Sequence, residues 1–479
     1  MTSTSLSALV KAYDVRGTVP DQLNPRVARA LGAAFAEVVV LPEGATGCVL
    51  AHDMRASGPE LVAAFAEGVR SRGADVTLAG LASTDGLYYA SGALDLPGAM
   101  FTASHNPAEY NGIKLCRAGA RPVGQDSGLA DVRTLAERIL DGEVTDPTGT
   151  TPGALRERDV LADYAAFLRD LVDLSGGRPL TVVVDAGNGM GGLTVPAVLG
   201  SEAGLAPLPL EVVPLYFELD GTFPNHEANP LDPKNLVDLQ AAVPAHGADL
   251  GLAFDGDADR CFVVDERGNP VSPSAITALI ARREVARAVA GGEQVEDVAI
   301  VHNVITSAQV PEVIADTGAR AVRTRVGHSF IKAEMARHGA VFGGEHSAHY
   351  YFRDFWFADT GMLAALHVLA ALGEQDAPLS SLMADLQRYA ASGEVNSTVE
   401  DAATATERVR AWASGRHVAT DELDGLTLTH AGDGTGADPM WWLNLRASNT
   451  EPLLRLNVEA EDVATMERVR DEVLALVRS

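Results

Sequence analysis

Short apolar runs alternate with segments of helical spacing along most of the chain. Residues 47–53 form a run typical of a strand, and residues 58–70 repeat apolar positions at helical spacing, with a proline near the start. A second buried-type strand at 180–185 leads to a helix near Leu193. This order of strand and helix is typical of the α/β class. Two more strands are predicted at 249–255 and 298–302.

The pattern changes in the last part of the chain. Three strand-like runs follow one another and precede a single terminal helix, an α+β pattern rather than a βαβ pattern. Three stretches rich in glycine, proline and polar residues interrupt the pattern and predict a linker or turns at 141–153, 265–270 and 391–394. The C-terminal strands are predicted at 425–429, 441–445 and 453–458, and the helix at 463–478.

Composition predicts a folded protein of several domains. With 479 residues, the chain is expected to form about three domains of roughly 150 residues, or four smaller ones. Hydrophobic residues make up 47%, which is ample for packed cores. Three scattered cysteines form neither a disulfide framework nor a CxxC metal site. The N-terminus lacks the pattern of a signal peptide, and no apolar run is long enough for a membrane span. We therefore expect the protein to be located in a reducing cytoplasm.

The net charge of −28 changes the picture of partners. Nucleic acid and anionic membranes are poor partners for such a surface. If the substrate is an anion, the site needs locally concentrated cationic side chains to overcome the background charge. Arginine and lysine within polar loops are therefore especially informative in this sequence.

The segment Thr102-Ala-Ser-His-Asn-Pro107 places a hydroxyl in a tight turn after an apolar strand. Ser104 is a candidate nucleophile, and His105 supplies an imidazole beside it. The next strand carries the amine of Lys114. Together these residues indicate nucleophilic chemistry.

The segment Asp255-Gly-Asp-Ala-Asp259-Arg260 also follows an apolar strand. Carboxylates at alternate positions can converge on one hard cation, and Mg²⁺ is favoured because it commonly binds a few carboxylates and a phosphate oxygen. An acidic surface turn is the plain alternative. A calcium EF-hand is rejected, because Arg260 stands where that loop needs glycine and a strand follows instead of a helix.

The segment Gly187-Asn-Gly-Met-Gly-Gly192 matches the G-x-G-x-x-G pattern of dinucleotide sites. Glu211 even lies at about the expected distance, although at the start of a strand-like run rather than at its end. A tight turn between a strand and a helix explains the same glycines. We favour the turn, and an NAD-dependent enzyme remains an alternative for cofactor titration to test.

The segment Gly343-Gly-Glu-His-Ser-Ala-His349 combines a carboxylate, a hydroxyl and imidazoles. Glu345, Ser347 and His349 suit a polyol, because they offer both donors and acceptors to adjacent sugar hydroxyls. A zinc site is less favoured, since no third ligand has suitable spacing. A polar surface loop is the remaining alternative.

The segment Arg446-Ala-Ser-Asn-Thr450 lies between two predicted strands. An arginine fork, hydroxyls, an amide and turn N–H groups make a good anion cradle, although ordinary turn chemistry is an alternative. The candidate ligands are Arg446, Ser448, Asn449 and Thr450. Weaker single signals come from Arg16 and His328.

Taken in order, these segments resemble the α-D-phosphohexomutase family over nearly the whole chain. The phosphoserine and metal motifs are highly specific in combination. The family's N-terminal, phosphoserine, metal, sugar and phosphate loops are similar to Tyr13-Asp-Val-Arg-Gly17, Thr102-Ala-Ser-His-Asn-Pro107, Asp255-Gly-Asp-Ala-Asp-Arg260, Gly344-Glu-His-Ser-Ala-His349 and Arg446-Ala-Ser-Asn-Thr-Glu-Pro452.

The resemblance implies a fold of three related α/β domains with mixed sheets and a smaller C-terminal α+β domain around a central cleft. We place the phosphoserine, metal-binding, sugar-binding and phosphate-binding domains at 1–150, 151–268, 269–388 and 389–479. The family also implies that Ser104 carries a phosphoryl group and that Asp255, Asp257 and Asp259 hold one Mg²⁺ with an oxygen of that group. Glu345 and Ser347 would then bind sugar hydroxyls.

The implied reaction moves a phosphoryl group from phospho-Ser104 to a hexose phosphate, through a hexose 1,6-bisphosphate that also acts as activator. Arg260 and the metal would neutralise charge on the transferring group. Arg446, Ser448, Asn449 and Thr450 would hold the other phosphate. Lys114, His105 and His328 are all open as the general base.

Ala348 stands where many family members have glycine, and with the aromatic segment after it this loop looks most like bacterial phosphomannomutases. We therefore expect a mannose phosphate as substrate. Dual mannose and glucose specificity, phosphoglucomutase or phosphoglucosamine mutase activity, and a non-catalytic sugar-phosphate sensor are the alternatives. Hexose phosphates are the expected partners, and the protein is expected to be a monomer or a homodimer.

Overall fold

The computed structural model describes residues 4–11, 13–447 and 453–479. The chain forms two compact units. The first unit comprises residues 1–271 and 347–380, and the second comprises residues 272–346 and 381–479.

The N-terminal part of the first unit is a mixed sheet with helices packed on it. Its strand order is β1-β5-β4-β2-β3-β7, with β6 paired to β5. Asn24 caps the first helix by accepting from the N–H of Val27, and Pro25 opens it. The strands are β1 Val15–Thr18, β2 Gly47–His52, β3 Asp75–Leu81, β4 Gly98–Phe101, β5 Tyr110–Arg117, β6 Arg121–Pro122 and β7 Leu155–Glu157. The helices are α1 Pro25–Phe35, continued by a π-helical turn Ala36–Val40, α2 Gly58–Ser71, α3 Thr84–Leu94 and α4 Leu129–Leu140.

A second mixed sheet follows in the first unit, with the order β12-β11-β10-β8-β9. Strands β8, β9 and β10 are parallel, whereas β11 runs antiparallel to β10. The loop between β10 and β11 therefore emerges at the carboxyl end of a buried strand. The elements are β8 Leu180–Asp185, β9 Leu210–Leu215, β10 Leu250–Phe254, β11 Cys261–Asp265 and β12 Pro270–Val271, with α5 Leu161–Leu171, α6 Gly191–Val198 and α7 Val237–Ala245.

The second unit begins with three parallel strands in the order β14-β13-β15. The chain then returns to the first unit for a short antiparallel hairpin and a buried helix. The second-unit elements are β13 Ala299–Asn303, β14 Arg320–Thr324, β15 Phe342–Gly344, α8 Pro273–Ala290, α9 Gln309–Asp316 and α10 His328–His338. The first-unit elements are β16 Tyr350–Phe352, β17 Ala358–Asp359 and α11 Gly361–Gly373.

The C-terminal part of the second unit is an antiparallel sheet in the order β18-β22-β21-β20-β19, with two long helices. Its leucines and valines form a separate core with those helices. The short helix α12 Leu379–Met383 begins in the first unit and ends in the second. The elements that follow are β18 Ala390–Thr398, α13 Ala402–Ala413, β19 Ala419–Asp421, β20 Leu426–His430, β21 Trp441–Ala447, β22 Leu453–Ala460 and α14 Val463–Val477.

The predicted α/β class and the α+β character of the C-terminal part are confirmed. The break predicted at 391–394 was wrong, because these residues belong to β18. Gly393 has a φ of 65°, and the pairing of β18 with β22 shifts register between Ala391 and Glu394. The turn-like residues therefore make a bulge within a strand. None of the helices among the described residues is long and apolar enough to cross a lipid bilayer.

Candidate active site

Ser104 lies at the tip of the turn that joins β4 to β5, and its side chain is buried. Its φ of 50° lies in the left-handed region that residues other than glycine seldom adopt. The N–H of Ser104 donates to Thr102 Oγ1 at 2.8 Å. Ser104 Oγ donates to Asp255 Oδ2 at 2.9 Å and lies 3.1 Å from His105 Nδ1. The turn therefore directs the hydroxyl at the first residue of the acidic loop.

The acidic loop joins β10 to β11 and carries three buried carboxylates, those of Asp255, Asp257 and Asp259. One oxygen of each lies within 4.8 Å of the others. Among the described residues, neither Asp257 Oδ1 nor Asp259 Oδ1 has a hydrogen-bond partner, although both are buried. Such oxygens are costly to bury alone and are good ligands for a hard divalent cation. The donor set therefore fits a metal ion.

The flanking elements of this loop exclude the EF-hand alternative. Strands β10 and β11 pair directly as an antiparallel hairpin, with Phe254 opposite Cys261. An EF-hand loop needs a helix on either side. The rejection made from the sequence is therefore confirmed.

The acidic loop holds its carboxylates in different electrostatic environments. Burial raises the pKa of Asp255 to about 7, against the opposing effect of Arg260. Burial also acts to raise the pKa of Asp257, but the charge and hydrogen bond of Lys114 outweigh it and the pKa is lowered. Asp257 is therefore held as a carboxylate by a neighbouring cation.

Lys114 lies in β5 and bridges two of the carboxylates. Its Nζ donates to Asp257 Oδ2 at 2.7 Å and to Asp259 Oδ2 at 2.6 Å. Burial acts to lower the pKa of Lys114, yet these two carboxylates raise it well above its usual value. Lys114 is therefore an ammonium ion at neutral pH, suited to donate a proton or stabilise charge rather than to act as a base.

Arg260 joins the acidic loop to the serine turn. Its Nε donates to Asp255 Oδ2 at 2.8 Å, and its Nη2 donates to His105 Nδ1 at 2.6 Å. Burial, reinforced by the charge of Arg260, lowers the pKa of His105 to about 2. His105 is therefore neutral, with Nδ1 already engaged as an acceptor.

Arg16 lies in β1, which pairs with β5 so that Arg16 is opposite Gly112. Its Nη1 donates to Asn106 Oδ1 at 2.7 Å, and its Nη2 donates to Asp14 Oδ2 at 2.6 Å. Its Nε is buried, and none of the residues that the structure describes accepts from it. Arg16 thus contacts the serine turn at the side-chain amide of Asn106. Its Nε–H is available for a further acceptor.

Two of the expected sugar-loop residues belong to the first unit. Ser347 Oγ lies 3.0 Å from His349 Nδ1, and His349 Nε2 lies 3.7 Å from Asp259 Oδ1. Asp259, His349 and Asp359 form a second group whose ligand atoms all lie within 4.8 Å of one another. His349 therefore contacts the acidic loop, a neighbour that the sequence did not predict.

Glu345 belongs to the second unit and follows β15 directly. Glu345 is buried, and its Oε1 accepts from the N–H of Gly327 at 3.2 Å. His328 is the next residue and begins α10. The second unit therefore brings Glu345 and the start of α10 together.

Arg446 lies near the end of β21, and its Nη2 donates to Glu394 Oε2 at 2.5 Å. Burial lowers the pKa of Arg446, whereas Glu394, Asp424 and Glu345 act to raise it. Arg446 is thus a largely buried cation among carboxylates of its own unit. The predicted residues Ser448, Asn449 and Thr450 lie outside the described residues.

Arg55, which follows β2 and is 2% exposed, was not predicted from the sequence. Its guanidinium contacts the serine turn, with Nη2 donating to the carbonyl of Ser104 at 2.9 Å. Thr84 was also missed, and its Oγ1 donates to Asp257 Oδ2 at 2.6 Å. The one available signal for Arg55 was an Asp-Met-Arg segment placed immediately after a buried strand.

The glycines at 187–192 serve close packing. A Cβ on Gly192 would lie 2.1 Å from the carbonyl oxygen of Phe217, and one on Gly189 would lie 2.7 Å from that of Gly256. Backbone therefore passes where any side chain would stand. This geometry supports the preferred interpretation of the segment as a tight turn before α6.

Four family models match successive parts of the chain. They describe the α/β/α domains I, II and III and the C-terminal domain of phosphoglucomutase/phosphomannomutase. The matched ranges are 7–139, 162–268, 272–389 and 394–476. The domain boundaries given above stay a prediction.

Curated relatives match over almost the whole chain. A protein of Xanthomonas campestris named "Phosphohexose mutases" is 40% identical over 474 residues, which cover 98% of both chains. A phosphomannomutase of Escherichia coli is 38% identical over 472 residues, again with 98% of both chains covered. Among solved structures, a phosphoglucomutase/phosphomannomutase family protein of Burkholderia thailandensis has a TM-score of 0.84 and 30% identity, with 99% of this chain and 98% of that chain covered.

Proposed function

This chain belongs to the phosphoglucomutase/phosphomannomutase family, and we infer that it is a phosphohexomutase that interconverts mannose 6-phosphate and mannose 1-phosphate. The reaction is an intramolecular phosphoryl transfer, in which a phosphoserine gives and takes back the group through a hexose 1,6-bisphosphate. Curated relatives named phosphomannomutase, at 37–38% identity over 98% of the chain, support mannose as the sugar.

The observation that carries this proposal is the approach of the serine to the acidic loop. Ser104 Oγ lies 2.9 Å from Asp255 Oδ2, while Arg260 donates to Asp255 and Lys114 donates to the neighbouring Asp257. A phosphoryl group on Ser104 adds negative charge there. Its stabilisation needs cations close by, since phosphoryl transfer depends mainly on positioning and charge neutralisation.

Mg²⁺ is the ion that this donor set favours. Asp255, Asp257 and Asp259 would hold it, together with an oxygen of the phosphoryl group on Ser104. When bound, the ion would supply Lewis-acid stabilisation of charge on that group. The unpartnered oxygens of Asp257 and Asp259 support this assignment.

The cationic residues of the first unit would handle charge and protons. We assign Arg260 and Arg16 to the charge of the phosphoryl group. Lys114, protonated beside two carboxylates, suits a general acid that returns a proton to the serine or sugar oxygen. His105 and His328 are the remaining candidates for the general base.

The sugar and the phosphate that is not transferred need separate contacts. Glu345 and Ser347 would accept hydrogen bonds from sugar hydroxyls. Arg446 would bind the second phosphate with a planar fork of donors, supported by Ser448, Asn449 and Thr450. A hexose 1,6-bisphosphate would also phosphorylate Ser104 and so activate the enzyme.

The test begins with Ser104→Ala, assayed with mannose 1-phosphate, Mg²⁺ and a catalytic amount of bisphosphate. We expect loss of mutase activity, with an unchanged melting temperature, because the acceptor oxygen for the phosphoryl group is gone. Ser201→Ala is a matched control, because Ser201 is exposed. Full activity in Ser104→Ala would reject the serine as the phosphoryl carrier.

Two further measurements sharpen the proposal. Intact-protein mass spectrometry after bisphosphate treatment should show one added phosphoryl group in the wild type and none in Ser104→Ala. Rates with mannose, glucose and glucosamine phosphates should rank mannose first. If only glucosamine phosphate were turned over, the protein would instead be a phosphoglucosamine mutase.

A further inference from the structure

Arg55 makes an unusual set of contacts for one buried side chain. It is 2% exposed and follows β2, outside every motif discussed above. All five guanidinium N–H groups point at acceptors. Nε donates to Asp53 Oδ2 at 3.3 Å, Nη1 donates to the carbonyls of Pro107 and Tyr110 at 2.8 Å each, and Nη2 donates to the carbonyls of Ser104 and Asn106 at 2.9 and 2.6 Å.

These contacts define the shape of the serine turn. Four carbonyl groups within residues 104–110 converge on one cation, and three of them precede β5. Only arginine supplies five donors in a rigid plane, whereas lysine has three donors around one atom. The same guanidinium lies 5.3 Å from the ring centroid of Phe223, which covers it within the first unit.

The conformation of Ser104 depends on this arrangement. Its φ of 50° is unfavourable for a serine and persists only where the surroundings enforce it. Thr102 holds the N–H of Ser104, and Arg55 holds its carbonyl. A Cβ on Gly256 would lie 2.4 Å from that carbonyl oxygen, so the acidic loop packs against the same group. With both peptide groups fixed, the side chain is directed at Asp255.

We propose that Arg55 is a positioning residue for phosphoryl transfer. It binds the backbone carbonyls of the serine turn and so keeps Ser104 Oγ directed at Asp255 in the acidic loop. This inference rests on the proposed function. Arg55 itself need not contact the sugar phosphate. Its loss should therefore reduce the rate of the chemical step and leave substrate affinity largely unchanged.

The test compares Arg55→Lys with Arg169→Lys. Arg169 lies in the same unit and also donates to three backbone carbonyls, those of Val198, Gly200 and Ala206, but it does not contact the serine turn. We expect Arg55→Lys to lower kcat about 100-fold, with KM for mannose 1-phosphate within threefold of wild type, because a small displacement of a reacting group has an effect of this size. Arg169→Lys should lower the melting temperature and leave kcat unchanged.

The kinetics of these variants decide whether Arg55 positions the serine turn. A folded Arg55→Lys with wild-type kcat, or an equal loss of kcat in Arg169→Lys, overturns the inference. If Arg55→Lys does not fold, Asp53→Asn decides, since Asp53 Oδ2 accepts from Arg55 Nε: a fall in kcat of at least fivefold at constant KM supports the positioning role, and an unchanged kcat rejects it.

Failure of the proposed function gives a different result. In that case the wild type neither turns over sugar phosphates nor takes up a phosphoryl group from the bisphosphate. A wild type that does both, beside an unimpaired Arg55→Lys, rejects the positioning role alone.

Discussion

The acidic loop of the first unit and Arg446 of the second unit differ in the sign of the buried charge that needs a partner. In the acidic loop, buried carboxylates outnumber the cations, and Lys114 reaches two of them at once. In the second unit, Arg446 is a largely buried cation, and Glu394 accepts a hydrogen bond from it. The first region carries more buried negative charge than its own cations neutralise, whereas the cation of the second region already has a carboxylate partner.

This difference predicts where a substitution will be felt. A cation removed from the acidic loop leaves buried carboxylates uncompensated, which affects folding as well as the chemical step. Arg446 is paired with Glu394, whose side chain is 28% exposed and can be hydrated when the pair is broken. Loss of Arg446 should therefore act mainly on substrate binding.

The largest effect is expected for Lys114→Met. Without Mg²⁺, the free energy of unfolding should fall by about 3–5 kcal/mol, since two buried carboxylates lose their shared cation. Added Mg²⁺ should restore part of this stability, because an ion that binds only the native state stabilises it. Thermal and chemical unfolding with and without Mg²⁺ measures both effects.

The control for this substitution is Lys234→Met. Lys234 also bridges two carboxylates, those of Glu227 and Asp232, but at the surface. Its removal should leave unfolding unchanged, because exposed ion pairs contribute little. If the two substitutions lowered the free energy of unfolding equally, the ion pairs of the acidic loop would contribute no more than an ordinary surface pair.

A smaller effect, confined to binding, is expected for Arg446→Ala. KM for mannose 1-phosphate should rise about tenfold to 100-fold, the size of a lost charge-assisted hydrogen bond, while kcat stays within threefold. Steady-state kinetics across substrate concentration separates the two constants.

Arg410→Ala serves as the matched control in the second unit. Arg410 also pairs with a glutamate, Glu422, at 2.6 Å, but it lies on the surface of α13. KM should not change there. A large loss of kcat in Arg446→Ala at constant KM would contradict the division of roles between the two regions.

The smallest effect is expected for Ala348→Gly. Ala348 is buried, with a φ of 65°, a conformation that glycine adopts without strain. The substitution should stabilise the protein by about 0.5–1 kcal/mol, as replacement of a strained alanine does. The ratio of rates with mannose and glucose phosphates should stay within threefold, since the change adds no polar group.

Ala365→Gly provides the opposite sign for comparison. Ala365 is buried within α11, where glycine should cost about 1 kcal/mol. A destabilised Ala348→Gly would show that the methyl group at position 348 contributes more through packing than it costs through backbone strain.

The parts of the site that the sequence predicted are local in the chain. The serine turn and the acidic loop each follow a buried strand directly, so the strand pattern places their polar residues at the end of a sheet. Apolar spacing likewise predicted β8, β13 and the terminal helix within one or two residues of their observed ends. The contact between Ser104 and Asp255 spans 151 positions and was expected only through the family resemblance.

The residues that the sequence missed act over long separations without a local signature. Arg55 reaches carbonyls about 50 positions away, and backbone carbonyls carry no sequence signal. Glu394 lies beside Arg446 only because β18 pairs with β22 next to β21. The sequence predicts a break in this segment because glycine is typical of turns, whereas Gly393 forms a bulge inside a strand.

The interlocking of Ser104 and Gly256 has a consequence for the order of events in turnover. A serine whose N–H and carbonyl are both held in this way has a fixed position, so it cannot move from one end of a bound sugar to the other. In the proposed reaction, the hexose bisphosphate would therefore have to reorient between the two transfers.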